Sequence, residues 1–255
     1  MTDPAALYAQ LTRAFNEREW RLAQQLSEHL LPLAPRHAGV YYMAGIAGIE
    51  LQQLPIATEY LRRAAILEPK RADIAVQLAK ALALSHRNRE AKLAADRALV
   101  LKPQDANTLD TLGVVFTQVG DYPSASQFFR HATELAPAQP SFHYNLATSL
   151  VATGEVDAAE RTLEACLALQ PHYWRAYLTL SQLRRWTETE HHLDRMQMLL
   201  SQLGEDSGDS AGLICLNMAL AKEYEAMGDY PNAFRHLGRG KSACAAGRNY
   251  SIARD

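Results

Sequence analysis

Apolar residues along this chain fall in short stripes three and four positions apart, and the stripes come in pairs. Residues 106–139 show this most clearly. Leu109, Leu112, Val115, Phe116 and Val119 line one face of a predicted helix, and Ala125, Phe128, Phe129, Ala132 and Leu135 line one face of a second. Between them, Gly120-Asp121-Tyr122-Pro123 stops the first helix and opens the next, because glycine suits a left-handed cap and proline suits a first turn. Neither helix buries its stripe alone. Each covers part of the other, and the remainder calls for a neighbour of the same shape.

That neighbour recurs. Pro35, Pro69, Pro103, Pro137 and Pro171 are spaced 34 residues apart. With each proline counted as position 32, units begin at residues 4, 38, 72, 106 and 140. Position 8 then holds Gly45, Ala79, Gly113 and Ala147, and position 20 holds Ala23, Ala57, Ala91, Ala125 and Ala159. Small side chains at those two places let paired helices approach closely. Of the remaining prolines, Pro4 and Pro140 open first helices, and Pro55, Pro123 and Pro231 open second helices. Only Pro32 falls within a helix, which predicts an early end there.

A helix–turn–helix unit repeated every 34 residues resembles the tetratricopeptide repeat family over nearly the whole chain. The resemblance implies an all-α fold, a right-handed superhelical solenoid of about seven units. Residues 1–255 are read as a single solenoid domain, because each unit of such an array meets only its neighbours. The units lie near 4–37, 38–71, 72–105, 106–139, 140–173, 174–213 and 214–247, with 248–255 a tail or a linker to a further domain.

Three units depart from the pattern. In the first, Leu11 replaces the small residue at position 8 and Arg18-Glu19-Trp20 replaces the usual turn, with Trp20 expected to pack into it. The third has His86-Arg87-Asn88 at its turn, where Asn88 is the residue suited to a positive φ. The sixth breaks the period: its first helix is expected over about 174–186, its second from Glu188 to Leu203, then the polar loop GEDSGDS. The turn Gly228-Asp229-Tyr230-Pro231 repeats that of the fourth unit, so the sixth carries six extra residues.

The last third, RRWTETEHHLDRM and then NMALAKEYEAMGDYPNAFRHLGRGK, resembles the final repeats that precede the catalytic domain in bacterial tetratricopeptide–sulfotransferase fusions. Gly240-Lys241 departs from the commoner Gly-Asn there. The resemblance implies a catalytic domain in cis beyond Asp255, and 3'-phosphoadenylyl sulfate as its cofactor only if that domain follows. No cofactor is expected in these residues themselves. The alternative is a free-standing tetratricopeptide adaptor.

Composition narrows the function. A net charge of −2 argues against a nucleic-acid surface, no basic run suggests a membrane patch, and the N-terminus lacks signal-peptide character. Cys166, Cys215 and Cys244 show no metal spacing; Cys166, at position 27, reads as a small buried residue. A cytoplasmic location is the expectation. Gly238-Arg239-Gly240-Lys241-Ser242 resembles a phosphate loop but has Arg235 where the leading glycine is required, within a predicted helix. Adjacent His191 and His192 point about 100° apart on a helix and read as exposed polar residues. The Asn249 sequon carries no weight without a secretory signal. No catalytic or metal-binding constellation emerges, so these residues are not expected to form an enzyme.

What remains is the inner groove that the resemblance implies, lined by positions 2, 5, 9 and 12 of each first helix. These positions supply Tyr8, Thr12, Tyr42, Lys80, Asn107, Asp110, Tyr144, Thr148, Arg175, Gln182 and Arg185. Tyrosine recurs at position 5 and brings contact area and a hydroxyl together. Lys80, Arg175 and Arg185 add positive charge. The family's carboxylate clamp needs lysine at position 5 with asparagine at position 9, and no unit has that pair. The expected partner is a protein or peptide ligand in the groove.

Overall fold

Position 15 makes the same corner in six units. Arg18, Gln52, His86, Gly120, Gly154 and Gly228 all have φ between 58° and 84°, the left-handed conformation that reverses the chain between paired helices. The positive φ in the third unit therefore belongs to His86 and not to Asn88, which opens the following helix. The structure, a computed structural model, describes residues 3–187, 189, 191–204 and 208–246. Among these, all regular elements are helices. The expected tail over 248–255 and the Asn249 sequon lie outside the described residues, as does Glu188 itself; the helix expected from there begins only at Leu193, since 189, 191 and 192 are not helical.

Two compact units emerge, Met1–Leu135 and Ala136–Asp255. The first holds α1 (Pro4–Asn16), α2 (Trp20–Leu30), α3 (Ala38–Glu50), α4 (Leu54–Leu67), α5 (Ala72–Leu84), α6 (Asn88–Val100), α7 (Ala106–Gln118) and α8 (Tyr122–Leu135). Each odd helix packs on the even helix that follows it, and each even helix packs on the next odd one. α2 stops at Leu30, two residues ahead of Pro32, as the missing amide requires. Trp20 packs edge-on against Phe15, with ring centroids 5.7 Å apart, in the cluster beneath the first turn.

Close helix approach rests on the small residues. Ala23, Ala57, Ala91, Ala125 and Ala159 are all completely buried. A Cβ placed on Gly113 would stand 2.5 Å from the Phe129 ring, and one on Gly45 would stand 2.5 Å from Leu61 Cγ. In both places the partner side chain fills the volume that a larger residue would need.

The second unit holds α9 (Pro140–Thr153), α10 (Val156–Leu169), α11 (Trp174–Gln182), α12 (Leu193–Leu203), α13 (Ser210–Met227) and α14 (Tyr230–Ala246). Cys166 is fully buried there, and burial pushes its thiol up to about 11. The sixth repeat is built differently from the others. α11 ends at Gln182, four residues short of the expected boundary, because Trp186 turns back to be buried, its Nε1 donating to Leu180 O (3.2 Å). α11 then packs mainly on α13, as does α12.

A buried carboxylate ties these pieces together. Glu223 on α13 is wholly inaccessible and accepts from both the His192 backbone N–H (2.7 Å) and His192 Nδ1 (2.8 Å). Arg195 on α12 makes a two-pronged contact with Glu164 on α10, both bonds 2.8 Å, and lies over the Tyr177 ring. The expectation that His191 and His192 are exposed polar residues on a helix is thus overturned: both are half-buried and precede α12, and the His192 ring is held between Glu223, Glu164 and the edge of Trp186.

Candidate partner-binding site

In the first unit, the N-terminal ends of three successive odd helices meet around a recess of about 270 Å³. α3 supplies Tyr42, α5 supplies Asp73 and Gln77, and the start of α7 supplies Asp105, Asn107 and Thr108. The 34-residue period explains the convergence, since equivalent positions on consecutive first helices face the same way. Helix initiation shapes the wall: Asp105 caps α7, its Oδ1 accepting from Thr108 N–H (2.8 Å).

One of the two carboxylates is ion-paired. Arg71, just before α5, donates through Nε and Nη2 to both oxygens of Asp73 (3.1 and 2.6 Å) and lies over the Tyr42 ring at 5.3 Å. The Tyr42 hydroxyl is pushed up to about 12, first by burial and then by the Asp73 charge, so it remains a hydrogen-bond donor at any physiological pH. A neutral phenol, two amides and two carboxylates thus line one pocket, a set suited to hydrogen-bonding polypeptide.

Of the residues singled out by position, Tyr42 and Asn107 share this recess. Lys80 and Asp110 are half-buried and lie on α5 and α7 without lining it. Tyr8 packs against the His37 ring with centroids 4.8 Å apart, and Thr12 donates its hydroxyl to Tyr8 O within α1. In the second unit, Tyr144 packs against Tyr173 (5.0 Å) and Thr148 donates to Asn145 O. Arg175 and Gln182 are exposed on α11. Arg185 lies beyond the end of α11, off the helical face assigned to it, and its Nε donates to Ala226 O (3.0 Å) near the end of α13.

Sequence reasoning passes over Asp73, Asp105 and Arg71. Asp73 sits at position 2, one of the groove positions, so the register alone reaches it. Asp105 and Arg71 each occupy position 34, the residue before a first helix, where a cap or a charge partner is the ordinary reading. Their signal is the 34-residue spacing that they share with each other.

Residues 116–182 match the model of the tetratricopeptide repeat family. The all-α fold is like that of the tetratricopeptide solenoids. The tetratricopeptide protein TTC0263 of Thermus thermophilus superposes with a TM-score of 0.62 at 16% identity, covering 71% of this chain and 98% of that one. YrrB, described as a tetratricopeptide protein with an unusual peptide-binding site, superposes with a TM-score of 0.50 at 14% identity, covering 83% and 97%. In sequence, the chain is 33% identical over 95 residues to the uncharacterized protein y4yS of Sinorhizobium fredii, covering 37% of this chain and 51% of that protein. The chain thus spans about half the length of that curated relative.

Proposed function

We propose that this tetratricopeptide chain is a non-catalytic scaffold that holds a peptide or partner domain against its first helices. The observation that carries the reading is the recess of α3, α5 and α7, where Tyr42, Asn107 and two aspartates converge from three repeats. A fold shared with a peptide-binding tetratricopeptide protein supports it. Capture of partners by the intact chain, followed by titration of the partner identified, tests it. Tyr42→Ala weakens that partner about tenfold or more, the loss typical of a buried aromatic anchor, at unchanged helicity. Undiminished affinity would sink the assignment of the recess. Tyr144→Ala is the parallel test for the second unit.

A finer reading makes the chain the scaffold arm of a longer bacterial protein with a sulfotransferase domain in cis, located in the cytoplasm. The motivation is the resemblance of the last third. In that reading 3'-phosphoadenylyl sulfate belongs to the further domain. Gly238–Ser242 does not fit it, because those residues form continuous helix within α14 and offer no phosphate-cradling loop. Reading the gene past codon 255 decides between this arm and a free-standing adaptor. A stop codon there removes the sulfotransferase and leaves the scaffold standing.

A further inference from the structure

The whole chain carries a net charge of −2, but that charge is not spread evenly. Residues 62–102, from the second half of α4 through α5 and α6, hold ten lysines and arginines against four acidic residues. No long basic run marks this excess, because it is divided among three helices and gathers only when they pack. α4 and α6 both rest on α5. Glu90, near the start of α6, is held below the ordinary carboxylate range first by hydrogen bonds from Arg87, and the charge of Arg62 on α4 adds to the effect. The outer faces of α4 and α6 are therefore neighbours.

Pairing within the segment leaves most of the excess standing. Arg71 takes both Glu68 and Asp73, and Arg87 takes Glu90. Arg62, Arg89 and Arg97 are exposed and make no ion pair among the described residues. On α6, Arg89, Leu93, Arg97 and Val100 succeed one another every three or four residues, on the face opposite the buried Ala91, Ala95 and Ala98. On α4, Arg62 and Ile66 alternate in the same way, opposite the buried Ala57, Leu61 and Ala64. The outer surface thus interleaves cations with open aliphatic side chains: Ile66 is 67% exposed, Leu93 53% and Val100 79%. Single exposed aliphatic residues are ordinary, but three set between arginines on adjoining helices form one mixed surface.

We propose that the outer face of α4 and α6 is a second docking surface, and that its occupant is an acidic amphipathic helix of a partner protein. Its carboxylates meet Arg62, Arg89 and Arg97, and its aliphatic stripe lies on Ile66, Leu93 and Val100. Charge complementarity sets the sign of the partner. Leu93 and Val100 stand seven residues apart, two helical turns, the interval at which an amphipathic helix repeats its own apolar contacts. Nucleic acid fits less well, because none of these six residues is an aromatic on which a base could stack, and phosphates would leave the aliphatic side chains without apolar contact. An anionic membrane would press on the exposed Asp96 of α6 as well as on the arginines, whereas a helix with fixed charges can set a neutral residue there. This surface is separate from the recess of α3, α5 and α7, so either reading can fail alone.

The test uses the full chain and a fluorescein-labelled peptide of about 18 residues, long enough to hold a helix, with leucines at heptad spacing flanked by glutamates. A counterpart carries glutamine for every glutamate. Anisotropy is expected to show binding of the acidic peptide over its amide counterpart, weakening as salt is raised. The triple variant Arg62→Gln, Arg89→Gln and Arg97→Gln should lower affinity by on the order of tenfold or more, and Leu93→Ser with Val100→Ser by a smaller factor. All five positions are exposed, so circular dichroism should match wild type. Tyr42→Ala should leave this binding unchanged. The proposal is overturned if the two peptides bind alike, if neither binds, or if the triple variant binds as wild type does. Duplex DNA or phosphatidylserine vesicles bound through the same arginines, with the acidic peptide left unbound, would also overturn it and assign the surface to that polyanion.

Discussion

Position 15 shows at the level of single residues how a repeat tolerates imperfect sequence. Three units place glycine there, and three place Arg18, Gln52 or His86 in the same left-handed conformation. An L-residue with a Cβ is disfavoured in that conformation by roughly 1–2 kcal/mol, partly offset by the greater entropy glycine loses on folding. Replacing His86 with glycine is expected to stabilise the protein by about 0.5–1 kcal/mol, read as a raised denaturation midpoint; a lowered midpoint would contradict the strain. Position 8 works the other way. Gly113→Leu drives side-chain atoms into the Phe129 ring and should destabilise by about 1–3 kcal/mol, with a melting temperature lower by several degrees. Position 8 was legible from spacing alone, and position 15 only where glycine marked it. The residue type at the third turn pointed to Asn88, yet register, and not the local preference of asparagine for positive φ, decides which residue bends.

Among elements, the first helices start at residues 4, 38, 72, 106, 140 and 174 without drift, while the second helices slip from 156 to 193 at the sixth repeat. The slip is stabilised by one buried polar centre. Removing Glu223 leaves the His192 backbone N–H and ring nitrogen without their acceptor in a closed site. Glu223→Ala should therefore cost about 1–3 kcal/mol for the unsatisfied donors, plus a further penalty for the space left. The loss should appear in hydrogen exchange of α12 before that of α9. Equal exchange of both helices in wild type and variant would show that Glu223 does not anchor the insertion. The sequence announced six extra residues, but it gave no sign of this centre, because a glutamate on a helix is ordinarily a solvated residue. Likewise, α11 ends early for the burial of Trp186, a tertiary gain that outweighs continued helix.

For the molecule as a whole, acid stability should fall in two separate windows. His236 has a folded pKa below its unfolded value, so the unfolded state binds more protons between the two. Stability is therefore full above the ordinary histidine range and declines as pH falls through it toward the lower folded value. Glu164 is also held below its ordinary value: burial acts upward, but the hydrogen bond and charge of Arg195 prevail. Its contribution is present above the unfolded carboxylate pKa and is lost as pH falls through the folded one, at lower pH than the first window. Urea unfolding from pH 8 down to about pH 2 should show both steps, and His236→Gln should remove only the upper one. A single step unaffected by that variant would rule out the histidine's role.

The sequence by itself determined the helix pairs, their 34-residue register, the small residues that let them close, and the location of the irregular repeat. These follow from periodicity, because a stripe of apolar side chains can be buried only against a neighbour of the same kind. Tertiary structure alone decided which polar residues meet: Tyr42 with Asp73 and Asp105 around one recess, and His192 with Glu223. The reason is physical. Apolar burial is additive along a face and leaves a pattern in the chain, whereas a polar contact depends on two atoms arriving within about 3 Å of each other from distant positions, and no local pattern encodes that distance.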